Sequence, residues 1–134
     1  MLKIDRERLN EIARQYGLDL IVLFGSHASG RAVPGSDVDI AVRAVKRPWG
    51  DWNWEFGVAN ALSEAIHTQD GEVDVVFVNG AAPLLMFEVA RSGQVLFEKE
   101  WGTFSEFRSY AARVYYDNEP RFRRQARYLK ERFA

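Results

Sequence analysis

The stretch LFGSHASGRAVPGSDVDIAV, residues 23–42, joins the end of one apolar run to the start of another through a segment rich in glycine. Its first two residues finish LDLIVLF (18–24), nearly continuous in apolar character, too short for a typical helix and rich in branched side chains. That combination reads as a strand buried on both faces. The run stops at Gly25, GSHASGRAVPG (25–35) follows as a glycine-rich loop, and DVDIAVR (37–43) alternates polar and apolar residues before an apolar finish. The alternation predicts a second strand.

Working outward, Asp5 is placed to cap a first helix over about 5–16, with Leu9, Ile12, Ala13 and Tyr16 on one face and Gly17 as its stop. Beyond the second strand, Pro48 and Gly50 mark a loop. Trp52, Phe56, Ala59, Leu62 and Ile66 then recur at the spacing of a core-facing helical stripe. EVDVVFV (72–78) predicts a third strand, Pro83 opens a helix running to about Ser92 before Gly93, and QVLFEK (94–99) a short fourth strand. From Trp101 onward the pattern is helical. Phe104, Phe107, Ala111 and Val114 form one stripe and Phe122, Ala126, Leu129 and Phe133 another, with Pro120 between two helices. The expected architecture is an α/β (α+β) domain, a small mixed sheet of three or four strands flanked by helices, spanning residues 1–134 with a core at about 18–98 and a helical segment at about 101–134.

At 134 residues, with 47% apolar and 28% charged side chains, the chain has the balance of one ordinary globular domain. It shows no apolar run of membrane-spanning length and no signal-like segment at the amino terminus, so a cytoplasmic location and no membrane partner are expected. The absence of cysteine excludes thiolate metal sites, and His27 and His67 are too isolated for a zinc cluster. A bound metal would need oxygen ligands. Residues 1–100 hold 10 basic and 15 acidic groups, residues 101–134 hold 8 and 4. An acidic body with a basic tail argues against dedicated nucleic-acid binding and leaves the tail for an acidic partner.

Asp37 and Asp39 stand two apart in a predicted strand, so both leave the same face while Val38, Ile40 and Val42 occupy the other. Carboxylates this close repel unless something positive lies between them, and hard divalent cations such as Mg²⁺ are commonly held by one or two carboxylates together with substrate phosphates. Asp74 interrupts an apolar strand. Left buried and unpaired it would cost on the order of several kcal/mol, which suggests that it projects where Asp37 and Asp39 do and shares their cation. Gly25 and Ser26 directly follow a buried strand, where backbone N–H groups and a hydroxyl can hold phosphate oxygens. The plainer account is that Asp37 and Asp39 face solvent on a one-sided sheet and that Asp74 lies near a strand end, and the adjoining phosphate cradle weighs against it.

Gly25-Ser26, ten intervening residues, Asp37-Val38-Asp39 and a third aspartate, Asp74, on a later strand resemble the signature of the DNA polymerase β-like nucleotidyltransferases. The likeness is nearest to the minimal nucleotidyltransferases, short proteins often paired with a small all-helical HEPN-domain protein. It implies the polymerase β-like nucleotidyltransferase fold. It also implies that Gly25 and Ser26, with Ser36 intact beside them, contact a nucleoside triphosphate, and that Asp37 and Asp39 hold two Mg²⁺ ions, with Asp74 completing one metal site near the attacking hydroxyl. Many relatives carry arginines at the positions of His27 and Ser29. The resemblance implies transfer of AMP from ATP to a hydroxyl, the best candidate being a tyrosine of a HEPN toxin that is thereby silenced, which would make the chain an antitoxin. Its rivals are a catalytically silent module that neutralises a toxin by contact, and transfer to a small molecule such as an aminoglycoside.

Other candidates are weaker. His27 could touch a phosphate or stack on a base, although a loop histidine is more often simply solvated. Helix packing accounts for Trp52, whereas Trp49 and Trp54 could line a nucleobase or partner surface. Arg121, Arg123, Arg124, Arg127, Lys130 and Arg132 form a cationic tail, read either as a solvated face or as a docking surface for an acidic partner.

Overall fold

The structure is a computed structural model and describes residues 2–133 apart from Arg47, Trp49 and Asp70, and apart from the side chains of Phe122, Gln125, Ala126, Leu129, Arg132 and Phe133. Along the chain the elements are β1 (Lys3–Ile4), α1 (Arg6–Tyr16), β2 (Leu18–Phe24), α2 (Ser26–Ser29), β3 (Val38–Ala44) and α3 (Trp52–Ala65), followed by β4 (Ile66–His67), β5 (Val73–Phe77), α4 (Pro83–Ser92), β6 (Gln94–Glu98) and α5 (Thr103–Phe133). The main sheet has four strands in the order β5-β3-β2-β6. It is mixed: β2 runs antiparallel to β3 and β6, and β3 runs parallel to β5. β1 and β4 form a separate antiparallel ribbon.

The continuous apolar character of LDLIVLF has its cause in burial on both sides. Leu18, Ile21 and Leu23 join a core beneath α1 and α3, whereas Leu20, Val22 and Phe24 join a second beneath α4 and α5. The same division runs through β3 and β5. Val38, Ile40, Val42, Val73, Val75 and Phe77 face α1 and α3, and Ala41, Val76 and Val78 face the other way. Local signals set the helix ends as read: the Asp5 carboxylate accepts the Arg8 amide at 3.1 Å and the Gly17 N–H closes α1 onto Ala13 O. Arg43, on β3, makes two bonds to Asp19 at 3.0 and 3.1 Å and a third to Glu106 of α5 at 3.1 Å, fastening the start of that helix to the sheet.

Three expectations are corrected. Trp52 and Phe56 are not core residues of α3: they are 70% and 63% exposed, and the buried face is Val58, Ala61, Leu62 and Ala65. Apolar residues occupy most of the circumference of this helix, so spacing alone admits more than one inward face, and the one chosen presents small side chains to the neighbouring α1. Ile66 lies beyond the helix, paired with Ile4 in the ribbon. Pro120 does not separate two helices, because α5 runs unbroken through it. A proline inside a helix removes one backbone bond and crowds the preceding turn, and the Arg-, Ala- and Leu-bearing sequence after it favours helix strongly enough to continue. The second stripe, Phe122, Ala126, Leu129 and Phe133, lies outside the described side chains. Among the described residues no helix is long and apolar enough to cross a membrane.

Candidate active site

Strand register brings the acidic residues together. Asp39, the second residue of β3, is opposite Phe24 on β2 and Asp74 on β5. Residues directly opposite across a sheet share a face, so Asp39 and Asp74 leave the α4 and α5 side next to each other at the end where β2 stops. Asp37 lies one residue before β3 and not within it. Its Oδ1 accepts the Glu72 amide at 2.9 Å, while the Val38 amide donates to Glu72 O at 2.8 Å. Asp74 is exposed, near the start of an edge strand where water reaches it, the strand-end position that the plainer account gave it. The cost inferred for a buried charge therefore does not arise there.

Gly25 follows Phe24 with φ 75° and ψ −151°, a conformation essentially reserved for glycine. A β-carbon built on it would overlap the Asp39 Oδ2 atom, so the backbone at Gly25 lies directly on one carboxylate. Ser26 begins the single turn α2, in which the Ser29 amide donates to Gly25 O at 3.1 Å and the Arg31 amide to Ser26 O at 3.0 Å. The leading amides of such a turn have no acceptor within the helix. From the far edge of the sheet, Gln94 Nε2 donates to Ala28 O at 2.7 Å and ties the turn to β6.

Ser36 shapes the returning loop. Its Oγ accepts the Val33 amide and its own amide donates to Val33 O, both at 2.9 Å, an arrangement that leaves the hydroxyl hydrogen to donate elsewhere. His27 is half-buried and its Nε2 lies 3.2 Å from Ser36 O, so the ring braces the loop and is not simply solvated. A carbonyl only accepts, so the ring hydrogen is assigned to Nε2.

The electrostatics are those of a site built to meet positive charge. The Asp39 carboxyl is raised above its ordinary value, first by burial and then by the neighbouring charges of Asp74 and Asp37, with His27 opposing. Among the described residues no three His, Asp or Glu side chains are drawn into a ready-made metal cage. An all-oxygen, mutually repelling and open set of donors fits a divalent cation that completes its shell with water and substrate phosphate oxygens.

The remaining candidates fall elsewhere. Trp54 packs against Phe77 with ring centres 5.4 Å apart and edge-on against Tyr16 at 6.4 Å. This is the sheet face opposite Asp39 and Asp74, so packing accounts for it. Trp52 is exposed on α3, and Trp49 lies outside the described residues. Arg121, Arg123, Arg124, Arg127 and Lys130 are exposed along α5, Arg123 bonded to Glu119 at 2.6 Å, and the Arg132 side chain lies outside the described ones. Sequence reasoning missed the segment before β5, whose Glu72 amide holds Asp37. The glycine at 71 was the only local signal, and nothing in a pattern of side chains reveals which carboxylate a backbone amide will meet.

The family model described as "Polymerase beta, Nucleotidyltransferase" matches residues 7–101. A protein from Shewanella oneidensis named "Protein adenylyltransferase MntA" is 34% identical over 97 residues, which are 72% of this chain and 63% of that protein. The chain thus spans less than two thirds of the length of this curated relative. A crystal structure of a toxin–antitoxin with AMP-PNP contains a chain 26% identical, with a TM-score of 0.67, the match covering 98% of this chain and 100% of the other. A chain of the structure described as a tri-AMPylated Shewanella oneidensis HEPN toxin in complex with MNT antitoxin is 25% identical, with a TM-score of 0.66 and 96% of each chain covered.

Proposed function

Because this chain belongs to the polymerase β-like nucleotidyltransferase family, we propose that it transfers AMP from ATP to a tyrosine hydroxyl of a small helical HEPN toxin and acts as its antitoxin. The observation that carries the reading is the row formed by Gly25, Asp39 and Asp74: a backbone able to approach a phosphate rests on one of two carboxylates placed side by side. The adenylyltransferase name of the relative and the AMPylated toxin complex support the choice of nucleotide and acceptor.

In this reading the amides around Gly25 and Ser26 and the Ser36 hydroxyl bind the triphosphate, and Asp37, Asp39 and Asp74 hold two Mg²⁺ ions. Bound there, Mg²⁺ supplies charge that lowers the pKa of the attacking hydroxyl and offsets negative charge on the leaving oxygen. The chain's own part is positioning. Gly25 keeps the cradle against Asp39, and Asp74, exposed beside Asp39, is open to an acceptor. The tyrosine oxygen bonds to the α-phosphorus, the bond to the bridging oxygen breaks, and pyrophosphate leaves with the electron pair while the hydroxyl proton passes to water.

The test combines the full chain, its toxin, Mg²⁺ and ATP labelled at the α-phosphate. Label should appear on a toxin tyrosine with a mass gain of one or more AMP units, γ-phosphate label should not transfer, and Asp37→Asn, Asp39→Asn and Asp74→Asn should each abolish transfer. Neutralisation of the toxin by Asp39→Asn as effective as by wild type, with no label in either mixture, would replace this reading with contact-only inhibition.

A further inference from the structure

Asp37 is the one acid of the site whose position no strand determines, since it precedes β3 and lies in a connecting loop. Three contacts substitute for the missing ladder. The Glu72 amide donates to Asp37 Oδ1 at 2.9 Å. Immediately before it, Gly71 presses on the loop, where an added β-carbon would overlap the Ser36 carbonyl oxygen. His27 Nε2 reaches that same oxygen at 3.2 Å. The Ser36 carbonyl is thus held between α2 and the segment entering β5, and the residue next in sequence is Asp37.

We infer that His27 and Gly71 form a clamp on the Ser36 carbonyl that positions the Asp37 carboxylate for metal binding. The inference rests on the nucleotidyltransferase reading and deepens it by assigning work to two residues outside the family signature. His27 acts here as a brace for the loop and not as a phosphate ligand. Gly71 acts through what it lacks, because only a residue without a side chain lets the Glu72 amide come within reach of Asp37. A carboxylate with one oxygen bonded to a fixed amide has lost most of its freedom to rotate, so a cation meets it already oriented. Partners of this kind, one step behind the metal ligands, typically change metal affinity about 10–100-fold when removed.

The test uses the full chain with Mn²⁺ and a non-hydrolysable ATP analogue, following thermal unfolding as Mn²⁺ is titrated. Gly71→Ala and His27→Ala should each raise the Mn²⁺ concentration giving half the full stabilisation by about tenfold or more. His27→Gln, whose amide can still donate to the carbonyl, should remain near wild type, a rescue that loss of packing alone would not produce. If Gly71→Ala does not fold, the two His27 variants carry the comparison. A wild-type Mn²⁺ dependence in both His27→Ala and Gly71→Ala would overturn the clamp, as would equal weakening by His27→Gln and His27→Ala. Absence of any Mn²⁺ response in wild type would instead defeat the nucleotidyltransferase reading, and the clamp with it.

Discussion

Replacing Gly25 by alanine tests the close approach of the turn to Asp39. Two costs combine. The residue holds φ 75° and ψ −151°, and forcing a side chain into such a region costs of order 1–3 kcal/mol. The added methyl would also overlap Asp39 Oδ2 and approach its Cγ and Cβ at 3.2 and 3.3 Å, so the carboxylate must swing away or the turn must lift. The Asp39 side chain is only half-buried and can move, which keeps the second cost below the first. A total of about 2–4 kcal/mol follows, equivalent to a fall in Tm of very roughly 8–16 °C for a chain of this size.

A double-mutant cycle separates the two costs. In an Asp39→Ala background the overlapping atoms are gone, so Gly25→Ala should cost only the backbone part, and the two substitutions should couple by about 0.5–2 kcal/mol, as neighbours in contact do. Unfolding of the four proteins without metal or nucleotide, by heat and by urea, supplies the numbers. A Gly25→Ala protein as stable as wild type, or one whose cost is unchanged when Asp39 is removed, would refute the close approach on which the cradle depends.

Two further outcomes concern single elements. The raised Asp39 carboxyl means that, between its ordinary 3.8 and the higher folded value, the folded chain binds more protons than the unfolded one, so stability falls as pH rises through that window and the loss persists at neutral pH. Asp39→Asn without ligand should therefore unfold at a higher temperature than wild type at pH 7 and match it below about pH 3.8; an Asn variant no more stable at pH 7 would contradict the burial of this carboxyl among like charges. On α3, Leu62→Ala should cost about 2–5 kcal/mol in urea unfolding and Trp52→Ser less than about 0.5 kcal/mol, whereas the reverse order would return Trp52 to the core.

The long elements were legible because their patterns are redundant. LDLIVLF coincides with β2 at both ends, since a doubly buried strand is almost wholly apolar and its Asp19 is paired with Arg43, and the parity of Asp39 and Asp74 followed from alternation once β3 and β5 were recognised. The β1–β4 ribbon was not legible: two residues on each side are too few for any period to show. The inward face of α3 was misread because Trp52 and Phe56 outweigh Val58 and Ala61 in hydrophobicity, although the smaller pair is what a close helix contact selects. The hold of the Glu72 amide on Asp37 could not be read at all. It depends on the parallel register of β3 with β5, which side-chain pattern does not determine.

The exposure of Asp74 bears on how the fold tolerates its own site. Three carboxylates set deep in a sheet would repel at low dielectric and would have to protonate or pair with a cation to offset that cost. Here the acids lie at the entrances of two parallel strands, where the ladder is just beginning: Asp37 is outside β3, Asp74 is solvent-exposed on an edge strand, and only Asp39 is half-buried. Water screens the outer two, and the Asp39 carboxyl is raised first by its own burial and then by the neighbouring charges of Asp74 and Asp37. The same placement leaves the acids open on the side where a cation and a phosphate chain would enter. Screening without ligand and access for ligand are therefore one structural fact, and burying any of the three acids more deeply would weaken both at once.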